Sequence, residues 1–289
     1  MPIKDSELIL NDDGSVYHLS LRPEQISNTI ITVGDQDRVE AVTRYFDSIE
    51  FKVQKREFHT QTGFYKGKRL TVISTGIGTD NIDIVLNELD ALVNIDLSNR
   101  EINKNLISLD IIRIGTSGSI QKDIPVDSYL ISEKAIGFDS LLHFYRAKNI
   151  QDLNFTKALV VHTNWDKSKS NPYVVNGSEI LISKLSSQKT VLGCTATNVG
   201  FYGPQGRVLR LPLQNNELNQ KLSSFNYNGK TITNMEMETA AIYGLAKLLG
   251  HNAISMNAII ANRPLGQFSE NAKSVVDNLI KYTLDKLVE

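Results

Sequence analysis

With 289 residues, 31 basic against 32 acidic side chains and a formal net charge of -1, the chain is long enough for a large core, near the size at which one core divides. Its charges are interspersed rather than blocked, so nucleic acid is not the partner its composition favours. The single cysteine, Cys194, excludes an intramolecular disulfide; the start MPIKDSELILNDDG has no apolar signal segment, and no apolar run nears the roughly 20 residues that span a bilayer. A soluble, cytoplasmic protein without a membrane partner is the reading.

Residues 1–15 are polar and read as a loose extension before Val16, His18 and Leu19. The first strand is residues 29–33, running into Gly34-Asp35-Gln36-Asp37-Arg38 and then a helix carrying Val39, Val42 and Phe46. Such a turn aims free N–H groups and a helix dipole at an anion, which Arg38 reinforces; the plain alternative is a βα turn capped by Asp35 or Asp37. A strand pair follows over 51–60 and 63–74, turning at Lys66-Gly67-Lys68. Thr75-Gly76-Ile77-Gly78 ends it, and a helix opens at Asp80 with Ile82, Val85, Leu86, Leu89 and Val93 on one face. Residues 94–109 resemble an insertion or long connection.

Residues 111–114 form a strand interrupted by Arg113, whose apolar flanks predict burial and therefore an anionic partner; the loop expected after it offers Thr116, Ser117 and backbone N–H groups to the same anion. A strand over 126–136 comes next, then a polar span from 149 to 172 that is the least structured part. A helix over 178–185, strands over 190–195 and 231–235, a helix ended at Gly250, a strand over 253–261 and a terminal helix opened by Ser269 complete the pattern, with no clear periodicity over 211–230. Strands alternating with helices imply an α/β chain with a mainly parallel sheet covered on both faces and functional loops at strand ends.

Three groups of residues carry chemistry. Arg38, Arg56 and Arg113, with Thr116, can surround a phosphate dianion, although an isolated arginine is ordinarily in a surface ion pair. FYGPQGR, residues 201–207, offers the Phe201 ring, a carboxamide at Gln205 and a guanidinium at Arg207, which suit the edge of a pyrimidine; a plain Gly-Pro turn is the alternative. In NMEMET, Glu238 can accept hydrogen bonds from a vicinal diol with Met237 beneath the sugar, while Thr233 and Glu236 also read as a capping box.

GDQDR, Arg56-Glu57-Phe58, STGIG, RIGTSG, FYGPQGR, NMEMET and Asn262-Arg263 follow one another as in the uridine phosphorylase branch of the nucleoside phosphorylases, which the chain resembles over residues 16–289. The resemblance implies a three-layer α/β/α nucleoside phosphorylase fold around a central mixed, mainly parallel sheet, one domain over 16–289 after the 1–15 extension, and a homodimer or trimer of dimers. It implies phosphate at Gly34, Arg38, Arg113 and Thr116, with Arg56 reaching the phosphate of a neighbouring subunit. Ribose would lie on Met237, Glu238 and Glu236, with His18 lent by the neighbour to the 5′-hydroxyl. Uracil would meet Phe201, Gln205 and Arg207, with Arg263 organising that end. The activity implied is reversible phosphorolysis of uridine to uracil and ribose 1-phosphate, with Arg113, Arg207 and Gln205 carrying it, phosphate as co-substrate, and neither cofactor nor catalytic metal. A monovalent cation at the dimer interface would use Glu57, Ile77 and Asn81, the last standing where serine is usual. Gln36 replaces a usual proline in the phosphate turn, which should loosen it. Residues 1–15 and 94–109 look additional to compact bacterial members. The alternatives are a purine or broad-specificity phosphorylase, whose branch places an aspartate at Asn262 and lacks the Gln-x-Arg pair, a hydrolytic nucleosidase, or a non-catalytic nucleoside-binding protein.

Overall fold

The structure, a computed structural model, describes residues 2–289. Apolar, β-branched runs become the strands at its centre, beginning with β1 (Thr29–Val33), every residue of which is buried. Helix α1 (Gln36–Thr43) follows, capped by Asp35 through the Asp37 N–H. A three-stranded meander, β2 (Ser48–Lys55), β3 (Phe58–Tyr65) and β4 (Lys68–Ser74), replaces the two strands expected, because the chain turns at Arg56-Glu57 as well as at Lys66-Gly67. Helix α2 (Thr79–Asn94) leads to a short hairpin, β5 (Ile95–Asp96) and β6 (Glu101–Ile102). Next come β7 (Asp110–Ser119), β8 (Tyr129–Gly137), α3 (Leu153–Thr163), β9 (Tyr173–Asn176), α4 (Glu179–Leu185) and β10 (Thr190–Thr197). The chain ends with α5 (Leu218–Ser224), β11 (Asn226–Tyr227), β12 (Lys230–Glu236), α6 (Thr239–Leu249), β13 (Asn252–Asn262), β14 (Gln267–Phe268) and α7 (Ala272–Val288).

The sheet is mixed, with order β11-β12-β10-β8-β13-β7-β1-β4-β3-β2. Its centre is parallel where β4, β1, β7 and β13 lie side by side and where β8, β10 and β12 do; antiparallel pairs join these blocks and form the β2–β4 edge. Because β12 also pairs β7, the strands β7, β13, β8, β10 and β12 close on themselves. Helix α7 touches both α1 and α4 on one side of the sheet and α2 touches α6 on the other, giving the three layers expected.

Several local expectations give way to tertiary structure. Gly115–Ser119 is strand rather than loop, paired with β13 along one side and with β12 at Gly118 and Ser119. The span 149–172 contains α3, which packs Phe155, Leu159 and Thr163 inward. Residues 2–15 are tied down: Ile3 N–H donates to the Arg100 carbonyl, Arg100 donates back to the Leu8 carbonyl, and the Asn11 amide donates to the Ser15 and Val16 carbonyls. The two additional segments thus dock on each other through Arg100, in the turn before β6. Gln36 does not leave its turn loose, since its amide donates to the Arg56 carbonyl and accepts from Gln54.

Candidate active site

Strand β1 pairs β7 only as far as Arg113, so beyond that residue the β1 side of β7 is open. The opening is a cavity of about 810 Å³ at the carboxyl ends of β1, β4, β7 and β12, where ligands of α/β sheets collect. Ten of the thirteen residues singled out in the sequence line it: Gly34, Arg38, Arg113 and Thr116 at one end, then Glu236, Met237 and Glu238, then Phe201, Gln205 and Arg207.

At the first end, Arg113 is buried and folds back along its own strand. Its Nη2 donates to Glu238 at 2.6 Å and lies 3.3 Å from Glu236; Nη1 donates to Asn257 at 3.2 Å and Ser255 at 3.4 Å. The anion its burial called for is therefore already supplied by the chain. Burial opposes the Arg113 charge, but the two carboxylates outweigh it and hold its pKa above the ordinary guanidinium value. Burial, with Glu236 alongside, raises the Glu238 pKa against the pull of Arg113. Arg38 differs: among the described residues its side chain has no hydrogen bond or ion pair, and burial together with the Arg113 charge lowers its pKa. Two guanidiniums and the Thr116 hydroxyl, unpartnered among the described residues, face one opening, an arrangement that suits an anion.

Glu236 ends β12 instead of entering a capping box. Its carboxylate accepts from the Glu238 and Thr239 N–H groups, each at 2.9 Å, and from the Thr197 hydroxyl, capping α6 from behind. The Thr233 hydroxyl turns to the Cys194 carbonyl. Glu238 also accepts the Gly78 N–H at 2.9 Å; Gly76 and Gly78 both hold positive φ, 70° and 104°, which brings this loop under the carboxylate.

At the far end, Arg207 lies over the Phe201 ring at 3.8 Å and donates to the Gln205 side-chain oxygen at 2.7 Å. Burial lowers the Arg207 pKa. Gln205 keeps its side-chain N–H groups free of protein partners among the described residues, while its backbone carbonyl is held by Arg263 at 2.5 Å and by Asn219 at 2.9 Å. Arg263 stands behind the cavity wall, touching Gln205 rather than the space itself. Asn219 was hidden in the unpatterned stretch that became α5.

His18 and Arg56 do not line this cavity. Both flank the Tyr17 ring, at 4.8 Å and 5.8 Å, and the His18 Nδ1 is 2.6 Å from Glu88. Glu57, Ile77 and Asn81 gather at the rim, with Asn81 and Glu57 packed over Gly76. Sequence reading missed Gly115, Ser255 and Asn257. A signal existed only for Gly115, a residue without a side chain two positions after a buried arginine.

A family model described as the phosphorylase superfamily matches residues 28–289. The chain is similar to the uridine phosphorylase of Thermococcus kodakarensis, 28% identical over 269 residues, 90% of this chain and 82% of that one. It is similar also to a DeoD-type purine nucleoside phosphorylase of Bacillus subtilis, 24% identical over 240 residues, 83% of this chain and 84% of that one. Among solved structures, a Trypanosoma brucei nucleoside phosphorylase described as showing uridine phosphorylase activity aligns with a TM-score of 0.87 at 29% identity, covering 97% of this chain and 99% of that one.

Proposed function

The chain belongs to the phosphorylase superfamily, and from that premise we propose that it is a pentosyltransferase catalysing the reversible phosphorolysis of uridine. The observation that carries the reading is one cavity with Arg38, Arg113 and Thr116 at one end and Phe201, Gln205 and Arg207 at the other, Glu238 and Met237 between them. Gly34 and α1 add the positive end of a helix to the phosphate side.

In this reading a phosphate oxygen forms a bond to ribose C1′ as the C1′–N1 bond breaks, and its electron pair leaves with the uracil. Negative charge grows on the base, where the Arg207 guanidinium and the Gln205 amide donors meet it, so their hydrogen bonds strengthen toward the transition state. Glu238 accepts from a ribose hydroxyl and Met237 packs on the sugar. No covalent enzyme intermediate is needed. His18 and Arg56 serve the cavity of a neighbouring copy in a homo-oligomer, a dimer or trimer of dimers; their place beside Tyr17, outside this chain's cavity, supports that role. Glu57, Asn81 and the Ile77 carbonyl would hold a monovalent cation between copies, a fit supported by their grouping at the rim, and no step passes through it. We propose a cytoplasmic setting as part of this reading; separately, no helix among the described residues is long and apolar enough to cross a membrane.

The purine alternative meets an obstacle at Asn262. Its Nδ2 donates to the Gln121 and Ile124 carbonyls at 2.9 and 2.8 Å and its oxygen accepts from the Leu265 N–H, so the side chain is spent on a buried turn. Asn262→Asp would press a carboxylate against two carbonyl oxygens. We expect it to lower Tm by roughly 5 to 10 °C without gain of inosine cleavage, measured by thermal denaturation and base release.

The test of the function is base release from uridine, thymidine, deoxyuridine, inosine and adenosine, each with and without phosphate. Uracil release that depends on phosphate is the expected result. Preference for inosine overturns the uridine assignment, cleavage without phosphate indicates a hydrolase, and binding without turnover indicates a carrier.

A further inference from the structure

Behind the cavity, a chain of buried polar side chains crosses the closed part of the sheet. Ser117 accepts from Asn234 at 2.8 Å, and Asn234 accepts from Thr195 at 2.9 Å. The Thr195 and Ser132 hydroxyls share a hydrogen bond, and Asn257 donates to Ser132 at 3.1 Å and to Ser255 at 3.2 Å. The chain ends on the guanidinium of Arg113, which donates to the Asn257 oxygen at 3.2 Å. Asn234, Thr195, Ser132, Ser255 and Asn257 are wholly buried. A buried amide is costly unless both its ends are satisfied, and Asn257 satisfies both, one end on hydroxyls and the other on Arg113.

The register explains how they meet. Asn257 on β13 lies directly beside Gly115 on β7, and Arg113 curls into the space where a Gly115 side chain would stand. Nη1 is fixed by Asn257 and Ser255, Nη2 by Glu238, and among the described residues Nε has no protein partner. Two anchors on separate elements fix a planar group in position and twist, leaving its remaining donor for an incoming anion. The acceptor from β13 is neutral, so it orients the guanidinium without adding a third negative charge beside Glu236 and Glu238.

We propose that Asn257 is a positioning residue for phosphate, acting through Arg113: it fixes the guanidinium so that phosphate binds, and its neutrality preserves the field that attracts the dianion. This rests on the phosphorolysis reading. Two substitutions of the full chain test it, with phosphate KM, uridine KM and kcat measured separately and folding checked by thermal denaturation. Asn257→Leu removes the acceptor. Asn257→Asp keeps an acceptor that Ser255 can still satisfy by donating its hydroxyl proton, but adds a negative charge.

Each variant is expected to raise the phosphate KM roughly tenfold or more, with the uridine KM within about twofold of the parent. Should Asn257→Leu fail to fold, Asn257→Asp decides. A folded variant with the parent's phosphate KM, or an equal rise in both KM values, overturns the positioning role while leaving phosphorolysis in place. A parent protein that releases uracil without phosphate removes both readings together.

Discussion

Arg38→Gln is expected to raise the phosphate KM roughly 100-fold, the loss of one charge-assisted contact to a partly desolvated dianion, while Tm stays level or rises. The two halves of this result come from one observation. Arg38 faces the cavity with no protein partner among the described residues, and burial and the Arg113 charge lower its pKa. A cation whose pKa is lowered on folding holds its proton less tightly in the folded chain than in the unfolded one. Its charge therefore subtracts from stability at every pH below the lowered value, neutral pH included. Removing it costs the fold nothing electrostatically, so a kinetic defect in this variant reads directly on substrate. Steady-state kinetics with phosphate varied, beside thermal denaturation, check it; an unchanged phosphate KM would remove Arg38 from the site.

Arg113→Ala is the more obvious substitution and the less informative one. Arg113 stands against two carboxylates whose side chains are only 2% and 6% exposed. Taking away one partner of a buried ion pair leaves uncompensated charge and costs about 3 to 5 kcal/mol, so lost activity would mix a lost phosphate contact with a loosened core. Read as sequence, Arg113 is an arginine awaiting an anion; in the fold it is already half of an internal pair, and on the proposed reading phosphate would add to a network in place.

That contrast marks what the sequence made legible. The strands at β1, β7 and β13 announce themselves as apolar β-branched runs, and ten site residues stand out because polar groups and glycines interrupt such runs at their carboxyl ends. Partners on distant strands do not announce themselves. Asn257 follows Arg113 by 144 positions in the chain and meets it only because β13 and β7 pair in parallel. Gly115–Ser119 read as loop because glycine, serine and threonine carry little strand signal of their own; pairing with β13 and β12 makes them strand. Helix α3 hides for a different reason: Phe155, Leu159 and Thr163 make one buried face, but the apolar Leu153 and Val161 lie exposed on the other, so the sequence shows no clean amphipathic period. The extension before Val16 looks loose because backbone groups, one asparagine amide and the distant Arg100 side chain tie it down, and none of these is visible as pattern.

Gly115→Ala is expected to cut kcat/KM for phosphorolysis roughly 1,000-fold, about 4 kcal/mol of transition-state stabilisation, with secondary structure retained. Gly115 is not needed for its backbone conformation, since it sits in a regular strand; it is needed for space. A methyl group there would stand 2.5 Å from Cζ and 2.7 Å from Nη2 of Arg113, well inside contact distance. A free arginine would swing aside at small cost. This one is held by Glu238, Asn257 and Ser255, so moving it breaks those hydrogen bonds and leaves Glu236 and Glu238 without their cation. A fall in Tm should therefore accompany the kinetic loss. Gly118→Ala supplies the control: it changes the same strand at the same cavity, but the nearest atoms to its new methyl, on Ala261 and Arg263, lie 3.7 Å away. It should keep kcat/KM within about threefold of the parent, because ordinary van der Waals contact displaces nothing. If the two alanines behave alike, the folded-back geometry of Arg113 is not what the site depends on; if only Gly115→Ala fails, one missing side chain sets the position of the phosphate arginine.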